Sequence, residues 1–160
     1  MDNLKLILLL AAAVIGLAVF FLLSPGQPLE GHITDVRTLG MERTASVGLV
    51  NFTVTNNSGN PVVIYDKRLA MIDSDGHRHP GSNVTIPDVK QLFEYFSELG
   101  GMRDAPLIPR AEVPAGETFT GLAGARFEIP KHELDGRQDI VLTLTDGLGR
   151  DSELRLTAAR

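Results

Sequence analysis

The chain has no cysteine and no tryptophan. Without cysteine there is no disulfide framework and no lipidated N-terminal cysteine. A domain of this kind must be held by its apolar core alone, which a chain of this length can supply. Positive charge is also short: 15 Lys and Arg stand against 20 Asp and Glu, a formal net charge of −5. Basic side chains gather only at Asp66-Lys67-Arg68 and around Arg78. Nucleic-acid binding calls for a basic stripe, so no nucleic-acid partner is expected. No serine sits in a G-x-S-x-G turn, and no nucleophile, base and oxyanion donor converge in the sequence, so no enzyme activity and no cofactor are expected. There is no internal repeat.

One long apolar run is present. Leu6 to Leu23 is eighteen residues without a charged side chain. As a helix it spans about 27 Å, close to the thickness of a bilayer core. Its backbone groups would be paired within the segment, as lipid requires. Lys5 precedes the run and the next basic residue is Arg37, which favours a cytoplasmic N-terminus; Asp2 opposes that bias. A cleaved signal peptide is the rival reading, and a buried core helix a third. Signal peptides have apolar regions of about 7–15 residues ending in small side chains, whereas this run stays bulky through Phe20, Phe21, Leu22 and Leu23. The expected organisation is therefore a short cytoplasmic N-terminus (1–5), a transmembrane helix (6–23), a proline-stiffened tether (24–30) and one domain (31–160). That domain would be periplasmic or extracellular, on a single-pass protein of the inner or plasma membrane.

Within the domain the period of apolar residues is two. Gly48, Val50, Phe52 and Val54 alternate with Val47, Leu49, Asn51 and Thr53, the pattern of a strand. It stops at the turn-forming Asn56-Asn57-Ser58-Gly59-Asn60-Pro61. Val62 to Tyr65, continued or resumed by Leu69 to Asp73, leads into the tight turn Asp73-Ser74-Asp75-Gly76. Strands are expected near Thr118–Ala123 and Ala125–Ile129, then at Ile140–Thr145 and Glu153–Thr157 around a hairpin loop at 146–151. Between them, Val89, Leu92, Phe93, Phe96 and Leu99 fall on one face of a helix near 87–99. Pro87 and Asp88 suit its start, and Gly100-Gly101 its end. About seven short strands argue for an all-β, immunoglobulin-like antiparallel β-sandwich with one inserted α-helix. The antibody hallmarks, paired cysteines and a core tryptophan, are absent.

Four signatures occur in order: Val54-Thr55-Asn56-Asn57-Ser58, Asp73-Ser74-Asp75-Gly76, Val113-Pro114-Ala115-Gly116-Glu117 with Gly121 beyond it, and Phe127-Glu128-Ile129-Pro130. In this order the chain resembles the bacterial extracytoplasmic immunoglobulin-like domains often labelled telomeric-repeat-binding-factor-2-like, over roughly residues 31 to 157. That family often carries a lipidated cysteine, which this chain lacks, and residues 87–99 and 105–114 look longer than its usual connection. The resemblance implies a fold, an extracytoplasmic location and a binding or accessory role. It implies no catalytic residues.

Several groups invite a site. His77 and His79 are a possible metal pair that would need a third ligand such as Asp75 or His32; the simpler reading is a solvated hairpin, because zinc sites need three or four converging ligands. Gly121-Leu122-Ala123-Gly124 and Gly147-Leu148-Gly149 lack the strand–loop–helix setting of a phosphate loop. Glu94 and Glu98 suit a wet helix face. Asn51, Asn56 and Asn83 match the glycosylation pattern by chance. The helix is the most informative element. Phe93, Phe96 and Leu99 would cap the open end of the sandwich core, or else Tyr95, Phe96, Leu99, Met102, Leu107 and Ile108 form an exposed apolar patch for another protein. The leading expectation is a membrane-anchored binding or scaffolding module acting on another envelope protein. The alternative is a small-ligand or metal-responsive sensor at the cell surface.

Overall fold

The computed structural model describes residues 28–156. The apolar run 6–23 and the first part of the tether lie outside the described residues. Among the described residues no helix is long and apolar enough to cross a membrane. The elements follow in chain order: β1 (Glu30–Glu42), β2 (Ala45–Thr55), β3 (Val62–Ile72), β4 (Arg78–Pro80), β5 (Ser82–Asn83), α1 (Ile86–Tyr95), a 3-10 turn (Ser97–Leu99), β6 (Ala111–Val113), β7 (Thr118–Phe127), α2 (Lys131–Asp135), β8 (Asp139–Asp146) and β9 (Asp151–Arg155). They build a mostly β molecule of two antiparallel sheets packed as a sandwich. Sheet one runs β1–β2–β7–β5; sheet two runs β4–β3–β8–β9, with β6 beside the first half of β3.

The alternation of β2 is present as expected, with a consequence the sequence does not show. Val50, Phe52 and Val54 face the other sheet and pack with Leu69, Met71, Ile140 and Leu142. Val47 and Leu49 point the opposite way and are just as dry. They join Leu39 and Leu122 in a second apolar cluster with Val89 and Leu92 of α1 and Leu99 of the 3-10 turn. The helix thus lies across the outer face of sheet one, not over an open end of the core. The core end beside Gly48 is filled instead by Leu134 of α2, which approaches Gly48 with Phe127 and Ile140.

Close helix–sheet contact explains a glycine. A Cβ at Gly124 would sit 2.7 Å from Leu49 Cδ2 and 3.5 Å from Val89 Cγ2. The sequence reads as two strands separated at Gly124; the structure has one continuous β7 through it. Strand β1 has no counterpart in the sequence reading. Ile33 and Val36 serve the sandwich core and Leu39 the outer cluster. Register shifts between Ile33 and Asp35 and between Gly40 and Glu42 break the period-two pattern, because a bulge adds a residue and flips the following side chains. The helix is also shorter than its apolar periodicity suggests. Thr85 caps it by accepting from the Asp88 amide, and it ends at Phe96, whose φ of −114° and ψ of 91° are extended.

Two hairpins are closed by aspartates. In the β8–β9 loop, Asp146 accepts from the amides of Leu148 and Arg150 (2.9 and 2.8 Å) and from the Arg150 guanidinium (2.7 Å). Burial pushes the Asp146 carboxyl up, but the Arg150 and Leu148 donors outweigh it and hold it below its ordinary value. A lowered folded value means this contribution is complete above the unfolded carboxylate range, near about pH 4, and is lost as pH falls through the folded value.

Two outcomes follow for chemical and thermal unfolding. Leu49→Ala should cost about 2–4 kcal/mol, the range for truncating a buried leucine, and should speed amide exchange in α1. Asp146→Asn should lower stability by about 1–2 kcal/mol at neutral pH. Its melting temperature should converge with that of the parent protein as the solution is acidified through the lowered folded value, where the parent carboxylate also takes up its proton.

Candidate functional site

Placing α1 outside sheet one creates a groove. The exposed side of the helix carries Tyr95 and, just past its end, Phe96; across from them stand Met41 at the end of β1, Val47 of β2 and Val84. Leu92 forms the floor, and Ser82, Asn83, Asp88, Gln91 and Arg126 form a polar rim. The groove encloses about 430 Å³. Three of its large apolar side chains meet water: Tyr95 is 77% exposed, Met41 44% and Phe96 36%. Ordinary surfaces carry such side chains singly; here three are clustered.

One side chain fixes the geometry beneath. Arg37 of β1 is mostly buried, and its guanidinium spends four N–H groups. Nε donates to Asp35 (2.9 Å), Nη1 to the carbonyls of Leu99 (2.9 Å) and Gly101 (2.8 Å), and Nη2 to Asn51 Oδ1 (3.3 Å). Its face lies 5.2 Å from the centre of the Phe93 ring, within cation–π range. Asn51 in turn donates to Asp104. The network ties the 3-10 turn and the loop after it to sheet one, and so sets where α1 ends.

The expected partner-contacting residues are divided by the fold. Tyr95 and Phe96 line the groove. Leu99 is buried beneath it, and Leu107 is buried in the sandwich core. Met102 is exposed on the following loop. Ile108 is exposed beside a separate hollow of about 160 Å³ with Tyr65, Lys67 and Pro109. Met41, Val47, Val84 and Arg126 complete the groove and carry no local signal in the sequence. They meet only through the pairing of β7 with β2 and β5 and the position of α1.

The histidine turn is better organised than its sequence shows. Asp73, which the sequence marks only as a turn residue, is its centre. Its Oδ1 accepts from the amides of Asp75 (2.9 Å) and His77 (2.8 Å). Its Oδ2 lies 2.8 Å from His79 Nε2 and 3.5 Å from His77 Nδ1. The bond to His79, then those to the two amides, hold the Asp73 carboxyl at about 2. His32 stands on β1 opposite Thr53, outside this group.

Other sequence features take structural places. Asn51 and Asn56 are buried, so neither can carry a glycan. Gly121 and Gly124 lie inside β7, and the Leu148 and Arg150 amides of the Gly147–Gly149 loop are already spent on Asp146. Glu94 and Glu98 are exposed. The outer face of sheet two is a charged lattice in which Arg68 pairs with Asp151, Arg78 with Glu153, and Arg155 with Asp139 and Glu153. Exposed pairs of this kind contribute little and mark a wet surface.

The fold and site define a two-sheet sandwich with an apolar groove on one sheet. No family model matches the chain, and no curated protein matches it. Among solved structures it is similar to a structural-genomics target designated SoR45, at 8% identity and a TM-score of 0.37, covering 81% of this chain and 83% of that one. It is also similar to a Bordetella pertussis protein carrying the provisional name ApaA, at 14% identity and a TM-score of 0.31, covering 83% and 93%.

Replacing Arg37 should loosen the floor of the groove. Arg37→Leu keeps the apolar stem but leaves the Leu99 carbonyl and Asn51 without their charged donor. A loss of about 2–3 kcal/mol is expected, with amide exchange rising in residues 97–104 before it rises in β2 or β7.

Proposed function

We propose that this chain is a membrane-anchored, extracytoplasmic immunoglobulin-like module that binds an apolar segment of another envelope protein in the groove along α1. The observation that carries the reading is the exposed cluster of Tyr95, Phe96 and Met41 around the Leu92 floor. Its size is in the range that takes a few inserted side chains. The net charge of −5 disfavours the anionic membrane surface as occupant. The anchor supports the same assignment. With the run 6–23 in the membrane, the tether enters the domain at Glu30, while Met41 lies eleven residues along the same strand. At about 3.3 Å per residue that sets the groove about 35 Å from the point of entry.

The test is a site-specific photo-cross-linker at Gln91, on the rim, compared with one at Glu153, exposed on the outer face of sheet two, in full-length protein in its own membranes. One discrete protein adduct from position 91 is expected, absent from position 153 and lost in the double variant Tyr95→Ser, Phe96→Ser. Tyr95 is 77% and Phe96 36% exposed and neither belongs to the core, so the variant should stay folded and melt within about 5 °C of the parent. Adducts to lipid, adducts to a second copy of this chain, or equal capture at both positions would defeat the reading. A mature N-terminus beginning near Gln27 would remove the anchor from it.

A further inference from the structure

We propose that Asp73, Asp75, His77 and His79, at the turn between β3 and β4, hold one divalent cation of the zinc class. This site is independent of the groove. Four donors fall within seven residues, and the backbone fixes their positions. The Asp73 amide donates to the His77 carbonyl (3.0 Å) and the Gly76 amide to the Asp73 carbonyl (3.1 Å). Gly76, at a φ of 85°, turns the chain, and His79 is in register with Met71. Donor atoms of Asp73, Asp75 and His77 all lie within 4.8 Å of one another, the only such group among the described residues.

The division of labour at Asp73 points to a ligand. Its Oδ1 is spent on the turn, accepting two backbone amides, and that is all the hairpin needs from a carboxylate. Its Oδ2 faces two imidazole nitrogens, which the turn does not require. In a tetrahedral zinc site with bonds of about 2.0–2.1 Å, neighbouring donor atoms are about 3.3 Å apart. The His77 Nδ1 to Asp73 Oδ2 separation of 3.5 Å is close to that edge and long for a hydrogen bond. His79 Nε2, at 2.8 Å, would withdraw by about half an ångström to admit the ion. Asp75 already has a ligand atom within 4.8 Å of those of Asp73 and His77, and His79, held on Asp73 Oδ2, is the donor that must close on the other three.

The donor set selects the metal class. Two imidazoles and two carboxylates suit zinc and its first-row neighbours, whereas calcium and magnesium take oxygen ligands. Two carboxylates also balance the 2+ charge. Arg78, the one cation within the motif, is held on the outer face of sheet two by Glu153 and Thr143.

Full-length protein in detergent, stripped with chelator, would be titrated with Zn²⁺ against a chromophoric competitor and with Co²⁺ by visible absorption. One equivalent should bind, with the intense d–d bands of a tetrahedral Co²⁺ site, and Zn²⁺ should raise the melting temperature. His77→Ala and, separately, His79→Gln should each weaken Zn²⁺ binding about tenfold or more. His77 is 75% exposed in its side chain, so its variant should melt as the parent does in chelator. Zn²⁺ binding unchanged in both variants, absence of any binding at 100-fold excess metal, or Ca²⁺ binding as tightly as Zn²⁺ would overturn the assignment.

Discussion

Sheet one must be dry on both faces, and the rest of the molecule is arranged around meeting that requirement. Val50, Phe52 and Val54 are satisfied by the opposing sheet; Val47, Leu49 and Leu122 are not. Burying a leucine or valine side chain is worth about 1.5–3 kcal/mol, so leaving three outside would strip the domain of a large part of its margin. Helix α1 and the 3-10 turn meet the need, but a ten-residue helix is too short to hold itself in place. Arg37 supplies the fixing point. It reaches from β1 to the carbonyls of Leu99 and Gly101, which a helix end and the loop after it leave free.

The groove is a by-product of that solution. A helix laid on a twisted sheet cannot follow it along its whole length, so a cleft opens where the two diverge. Here the chain lines the cleft with Tyr95, Phe96 and Met41 where polar residues would have sealed it from association. The opposite sheet shows the other choice. Its outer face carries Arg68, Arg78 and Arg155 in alternating pairs with acids, a surface that repels apolar contact. One molecule thus has one sticky face and one wet face.

Much of the sandwich is legible in the sequence, and what is not has physical causes. The period-two runs of β2 and β8 read directly, whereas β3 is broken by a register shift between Ile64 and Asp66 and reads as two pieces. The start of α1 reads from Thr85, Pro87 and Asp88 because capping is a local matter. Strand β1 is hidden because a bulge puts Ile33 and Val36 three residues apart on the core face while Leu39 serves the outer face, so the apolar residues fall at a spacing closer to a helix than a strand. Gly124 looks like a break because its reason for being glycine, the Leu49 side chain, is 75 residues away. The groove escapes for the same reason. Tyr95 and Phe96 can be picked out as exposed aromatics, but Met41 and Arg126 become their neighbours only through strand pairing across most of the chain.

The two hairpin aspartates show how far one local device can be pushed in different directions. Asp73 and Asp146 each accept two backbone amides within the following four residues, so each makes the same turn. At Asp146 the remaining oxygen is closed by the Arg150 guanidinium, and the carboxylate is buried. A cation fixed in the chain completes the site and leaves nothing to add. At Asp73 the remaining oxygen meets two imidazoles, side chains whose ring nitrogens can serve as metal ligands. Asp73 is more open to water than Asp146, so it has less need of a fixed counter-charge, and the chain places imidazoles where the other hairpin places an arginine. That difference between two turns built on the same amide contacts, more than the presence of histidine in either, is the argument for a metal cation at the first.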